Sequence, residues 1–153
     1  MKILVYLNFK MNEESLYLES VKLLKELIST QSFSFHEENT ATLLENWLNK
    51  NSIPFKRHVN NIYCYNKYYS EEKPNILLNS HHDTVEPNDS YTNDPYEPIV
   101  HQGKLYGLGS NDAGASLVSL LSTFKFFYDC KNLNYNLIFL ASAEEEKSGK
   151  NGI

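Results

Sequence analysis

Residues 75–83 read Asn-Ile-Leu-Leu-Asn-Ser-His-His-Asp, and residues 135–146 read Tyr-Asn-Leu-Ile-Phe-Leu-Ala-Ser-Ala-Glu-Glu-Glu. Each is a short apolar run that stops on ionisable side chains. Runs of about four to eight apolar residues bounded by polar ones suit buried strands. Between them, Gly107-Leu-Gly-Ser-Asn-Asp-Ala-Gly-Ala-Ser116 opens a helix whose apolar side carries Leu117, Val118, Leu120, Leu121 and Phe124. Strands alternating with helices predict an α/β sheet covered on both faces. Ligands of such sheets collect outside the carboxyl ends of the strands, which is where both polar clusters fall.

Working outward, Leu16, Leu18, Val21, Leu24, Leu27 and Ile28 recur near the helical period. Asn12 is a plausible cap, and Glu13 and Glu14 stand in the first turn, where the helix dipole favours anions. Met11 directly precedes that cap, so residues 1–11 read as an N-terminal extension or a short edge strand. Ser34-Phe-His-Glu37 has the form of a capping box and opens a second helix through Leu43, Leu44, Trp47 and Leu48. The runs Phe55–Val59 and Asn61–Tyr65 flank Asn60-Asn61 and read as two short strands joined by a tight turn there. Residues 85–98 hold three prolines and no periodicity, and irregular loops of that length are uncommon unless functional. Residues 99–106 form a small hairpin turning at Gln102-Gly103.

Composition narrows the function. Fourteen Lys and Arg face nineteen Asp and Glu, a net charge of −5, so the clustered cations that phosphate binding needs are missing and nucleic acid is an unlikely partner. No run approaches the ~18 apolar residues of a membrane span. The first residues lack the form of a signal peptide. The two cysteines, Cys64 and Cys130, are far apart, as reduced thiols of a cytoplasmic protein would be. Arg57 is the only arginine, which reflects composition rather than a binding task.

Three clusters could carry chemistry. In His81-His82-Asp83, a His two residues before an Asp suits a metal ligand oriented by a carboxylate. Asp112 follows glycines that let backbone approach closely, at a helix start where a carboxylate could bridge two cations. Glu144-Glu145-Glu146 would repel one another unless a cation or proton is shared, and adjacent glutamates can divide ligation from proton transfer. Taken singly, each has a plainer reading: a surface His pair, a helix cap, a solvated charge run. Their order and type together are specific.

The series SHHDTV (80–85), YGLGSNDAG (106–114) and ASAEEEKSG (141–149) resembles the zinc-dependent deacylase and exopeptidase family of acetylornithine deacetylase, succinyl-diaminopimelate desuccinylase and aminoacylase. The acetylornithine deacetylase branch looks nearest, over residues 12–153. The resemblance implies a three-layer α/β/α mixed sheet and two zinc ions, with cobalt or manganese able to occupy the same nitrogen and oxygen donors. It implies His81, Asp112 and Glu146 as metal ligands, with Asp112 bridging and the Asp112–Ala113 peptide cis. Asp83 and Glu145 would be the catalytic pair, Asp83 orienting His81 and Glu145 acting as general base. Glu144 stands where the family usually has Asp, and Ala113-Gly114 where many members have a longer residue followed by Lys-Gly. His36, His58, His82 and His101 match no ligand position. The implied reaction is hydrolysis of a small N-acyl amino acid, as in amino-acid biosynthesis, by a cytoplasmic homodimer.

Two further ligands of the family, an acidic residue and a distant His, have no counterpart in the sequence. Residues 12–153 therefore correspond to the N-terminal part of a catalytic domain, without the dimerisation domain, and the 153 residues alone are expected to be inactive. The last strand lacks a following helix, so the sheet should show an uncovered apolar face. Two other functions stay open: a non-catalytic remnant or binding module, and an exopeptidase acting on dipeptides.

Overall fold

The computed structural model describes residues 13–152. Residues 1–11 and the cap at Asn12 lie outside them. Helix α1 spans Glu13–Ile28, with both acidic residues in its first turn and Lys25 in its last. Its buried stripe is Leu23, Leu24 and Ile28, whereas Leu18, which the periodicity puts on that stripe, is 59% exposed. Helix α2, Glu38–Lys50, buries Thr40, Ala41, Leu44 and Leu48.

Strands β1 (Lys56–His58) and β2 (Asn61–Tyr65) form a hairpin in which His58 faces Asn61. The turn is therefore Val59-Asn60, one residue earlier than the sequence suggests. Val59 takes the positive φ of 54° and Asn61 begins the strand. β3 covers Asn75–His81, and β4 (Ile99–His101) with β5 (Lys104–Tyr106) makes the expected hairpin. Gln102 and Gly103 both have positive φ, as its two-residue turn requires. Helix α3 is Ser116–Phe127 and β6 is Asn136–Ser142.

The main sheet runs β1-β2-β6-β3, antiparallel except for the parallel pair β3 and β6. It is the mixed α/β sheet expected, with one correction. β3 lies at an edge rather than buried throughout, and Ile76 and Leu77 are exposed. Ile62, Cys64, Leu137, Phe139 and Ala141 share one core with the buried residues of the three helices. Phe139 meets Phe124 of α3 at 6.1 Å between ring centres. Each large side chain buried there contributes about 1.5–3 kcal/mol relative to exposure. Burial also pushes the Cys64 thiol up to about 12, which leaves it unreactive.

The alternate residues Tyr63, Leu77, Ile138 and Leu140 face the other way and line an open groove with Lys150, Asn151 and Gly152. Among the described residues no helix packs there, so the uncovered face expected from the sequence is present. The register matters most for the site. Because β3 and β6 run parallel with His81 opposite Ser142, both strands deliver their next residues to the same rim.

Candidate metal centre

His81 is the last residue of β3 and is 8% exposed. Its Nδ1 lies 3.0 Å from the Asp83 carbonyl oxygen, which can only accept, so Nδ1 carries the proton. Nε2 thereby faces outward, 3.1 Å from Asp112 Oδ1 and 3.7 Å from Glu145 Oε2. Asp83 is fully buried. Its Oδ2 accepts from Ser34 Oγ at 2.6 Å and from the Glu146 N–H at 3.0 Å, and its Oδ1 accepts from the Glu145 N–H at 3.2 Å.

Asp112 sits in a stretch of non-helical φ and ψ just before α3, with its side chain 78% exposed. The regular helix thus begins four residues after the carboxylate. The Asp112–Ala113 peptide is cis. Close backbone approach explains two of the loop's glycines. A Cβ at Gly109, whose φ is 72°, would lie 2.7 Å from Thr84 Cγ2, and one at Gly114 would lie 2.5 Å from the Gly109 carbonyl oxygen.

The three glutamates part company. Glu144, in the left-handed conformation, is buried, and its carboxylate accepts from Asn151 N at 3.1 Å and Asn151 Nδ2 at 2.8 Å. Glu145 and Glu146 turn towards His81. One donor atom from each of His81, Glu145 and Glu146 lies within 4.8 Å of the others. The structure therefore brings together His81, Asp112, Glu145 and Glu146, with Asp83 behind the imidazole. His82 is buried between Thr40 Oγ1 and the Asn60 carbonyl oxygen, each at 2.9 Å from a ring nitrogen. His36, His58 and His101 are exposed.

Electrostatics describe a cation-seeking site. The Asp83 side chain raises the His81 pKa to about 9, against desolvation and with help from the Asp83 carbonyl and Asp112. Burial favours the neutral form of Asp83, but hydrogen bonds from His81, Ser34 and the two backbone N–H groups outweigh it and hold this carboxyl well below the usual range. Glu146 is pushed up, first by desolvation and then by the Asp112 charge. The donors fit a divalent ion. Two ligands each about 2.0–2.1 Å from a tetrahedral zinc stand about 3.3 Å apart, close to the separation of His81 Nε2 and Asp112 Oδ1. Nitrogen with carboxylate oxygen suits zinc, cobalt or manganese.

The His81 pKa predicts how the metal-free protein responds to pH. A folded-state value of about 9 against an ordinary 6.5 adds stability that is fully present below 6.5 and lost as pH rises through about 9. The difference corresponds to at most about 3 kcal/mol. Thermal unfolding in chelator should show a midpoint that falls over this window, and His81→Asn should remove most of that slope. Equal slopes in the two proteins would contradict the charged cluster.

Three residues of the site's support were missed in the sequence. The capping box is absent: Glu37 itself occupies the cap position of α2 and makes no side-chain capping bond. Ser34 and Glu37 instead reach across to the strand ends, Ser34 to Asp83 and Glu37 to the Glu144 N–H at 3.1 Å. Asn60, assigned to a turn, donates from Nδ2 to Glu37 Oε2 at 2.8 Å. The S-x-x-E pattern was visible, but a tertiary partner wins over the local one here.

Residues 77–153 match the sequence model of peptidase family M20/M25/M40. A succinyl-diaminopimelate desuccinylase of Nitratiruptor sp. is 26% identical over 137 residues, 88% of this chain and 36% of the relative. An acetylornithine deacetylase of Shigella sonnei is 31% identical over 143 residues, 84% of this chain and 36% of the relative. The chain thus spans roughly a third of the curated relatives it matches. Among solved structures, an M20 family metallo-carboxypeptidase from Sulfolobus solfataricus superposes with a TM-score of 0.68 at 23% identity, over 90% of this chain and 32% of that one. A dinuclear metal-binding M20 peptidase from Bacillus subtilis does so with a TM-score of 0.65 at 18% identity, over 88% and 37%. With half of the chain matched in sequence and the fold shared with these neighbours, the protein belongs to peptidase family M20/M25/M40.

Proposed function

We propose that the protein acts in the metal-dependent hydrolysis of the amide bond of an N-acyl amino acid, with His81, Asp112 and Glu146 as zinc ligands and Glu145 as general base. The observation that carries this reading is the convergence of His81, Asp112, Glu145 and Glu146 at one rim of the sheet. Sequence relatives named as desuccinylase and deacetylase favour an acyl amino acid over a dipeptide.

A pair of divalent ions held there would polarise the amide carbonyl and acidify water. The chain's own residues do the rest. Asp83 accepts from His81 Nδ1–H through its backbone carbonyl and so keeps the Nε2 lone pair facing the donor cluster. Glu145, its side chain 52% exposed, is open to solvent and substrate. Its carboxylate takes the proton of the attacking water and returns it to the departing amine.

Two measurements test this reading. After dialysis against zinc and removal of excess, metal analysis should find His81→Ala with less than about a tenth of the parental zinc, since loss of one ligand and its support is severe. Parental zinc in that variant removes His81 as a ligand. A form that carries the complete catalytic domain, supplied with N-acetylornithine or N-succinyl-diaminopimelate, should release free amine, stop on chelation and resume with zinc. Amine release that is indifferent to chelator overturns the proposal.

A further inference from the structure

Three consecutive backbone N–H groups, those of Glu144, Glu145 and Glu146, are taken up by two carboxylates from distant parts of the chain. Glu37 Oε1 accepts the first, and the two oxygens of Asp83 accept the second and third. Both acids are 0% exposed. Each is itself oriented by neighbours. Ser34 Oγ donates to Asp83 Oδ2 at 2.6 Å. Glu37 accepts from the Phe35 N–H at 2.7 Å through Oε1 and from Asn60 Nδ2 at 2.8 Å through Oε2. Asn60 in turn cannot rotate its amide, because its Oδ1 receives Arg57 Nη2 at 2.8 Å. The chain's single arginine therefore sets the orientation of an asparagine that sets a buried glutamate. A buried carboxylate is expensive unless donors surround it, and here those donors are the backbone that precedes the metal-facing side chains.

We propose that Ser34 and Glu37 are positioning residues of the metal centre, fixing the backbone of residues 144–146 so that the Glu145 and Glu146 carboxylates face His81 Nε2. This rests on the metal-hydrolase reading above and extends it to two residues that touch no metal donor atom except through Asp83 or the backbone. Side chains standing behind ligands govern their direction, and their loss typically costs 10–100-fold in metal affinity.

The test is cobalt(II) titration of the 153-residue chain, followed by visible absorption and by competition with a chelator, at a temperature where circular dichroism shows each variant folded. Ser34→Ala should weaken cobalt binding about 10–100-fold and change the absorption band. Ser34→Thr, which keeps the hydroxyl, should recover most of both. Glu37→Gln is nearly isosteric, but it sets its own N–H against Asn60 Nδ2, which Arg57 prevents from turning, and should act like Ser34→Ala. Ile53→Val, a core trim away from the site, should lower the thermal midpoint with parental cobalt binding and spectrum. If Glu37→Gln does not fold, the two Ser34 variants still decide. Parental affinity and absorption in Ser34→Ala, whatever its thermal midpoint, overturns the positioning role alone. Failure of the parent chain to bind cobalt overturns the metal reading, and this inference with it.

Discussion

In a form that carries the complete catalytic domain, Glu145→Ala is expected to lower hydrolysis of an N-acyl amino acid by about 10²–10⁴-fold, the usual contribution of a positioned general base, while bound zinc stays at the parental level. The geometry makes this a sharp test. Glu145 Oε2 lies 3.7 Å from His81 Nε2, within the same donor group as Glu146, so distance alone would allow either glutamate to ligate. What separates them is environment. Desolvation and the Asp112 charge raise the Glu146 pKa, which marks it as the glutamate whose negative charge most needs a cation beside it. Glu145, half exposed, has room for a water on its open side. Metal analysis and a rate assay on one preparation decide between the roles. Loss of both zinc and rate would make Glu145 a ligand, and retention of both would remove it from the reaction.

Much of this rim was legible because the sequence marks strand ends well. Apolar runs that break at His81 and at Ser142 fix where the chain leaves the sheet, and a parallel pair must then bring those exits together. The glycines before Asp112 likewise announce a tight loop. Features that depend on partners distant in sequence were not legible. Ser34 and Glu37 have the spacing of a helix cap, and nothing local says that each will turn away to a strand end instead. Glu144 looks equivalent to its two neighbours, yet positive φ sends its carboxylate to Asn151. Leu18 fits the helical stripe yet is 59% exposed, whereas Leu23, which that stripe leaves out, is buried in the core, because tertiary packing decides which side of the helix is covered. The hairpin slipped by one residue because Asn-Asn suits a turn better than Val-Asn does. The structure accepts a strained Val59 to place Asn60 beside Glu37 and Asn61 in the strand.

Asp83→Ala should be the most damaging single change to stability, about 3–5 kcal/mol by chemical denaturation. Its carboxylate stands at 0% exposure and accepts from the Ser34 hydroxyl and from the N–H groups of Glu145 and Glu146, with His81 Nδ1 at 3.4 Å. Removing it leaves the hydroxyl and two backbone donors without an acceptor, at about 1–3 kcal/mol for each donor that water cannot reach, and leaves a protonated His81 without its main counter-charge. Water entering the vacated space would reduce the loss, and for that reason the expected value lies below the sum. Asp83→Asn separates the two contributions. It keeps one carbonyl acceptor and the volume, so it should cost less than Asp83→Ala, yet it cannot hold the charge on His81. The two variants should therefore differ in denaturation midpoint but share a His81 that titrates nearer its ordinary value, which histidine ring proton resonances followed against pH in metal-free protein would read. A His81 pKa that stays near 9 in both would show that Asp112, at 3.1 Å from Nε2, is its dominant partner.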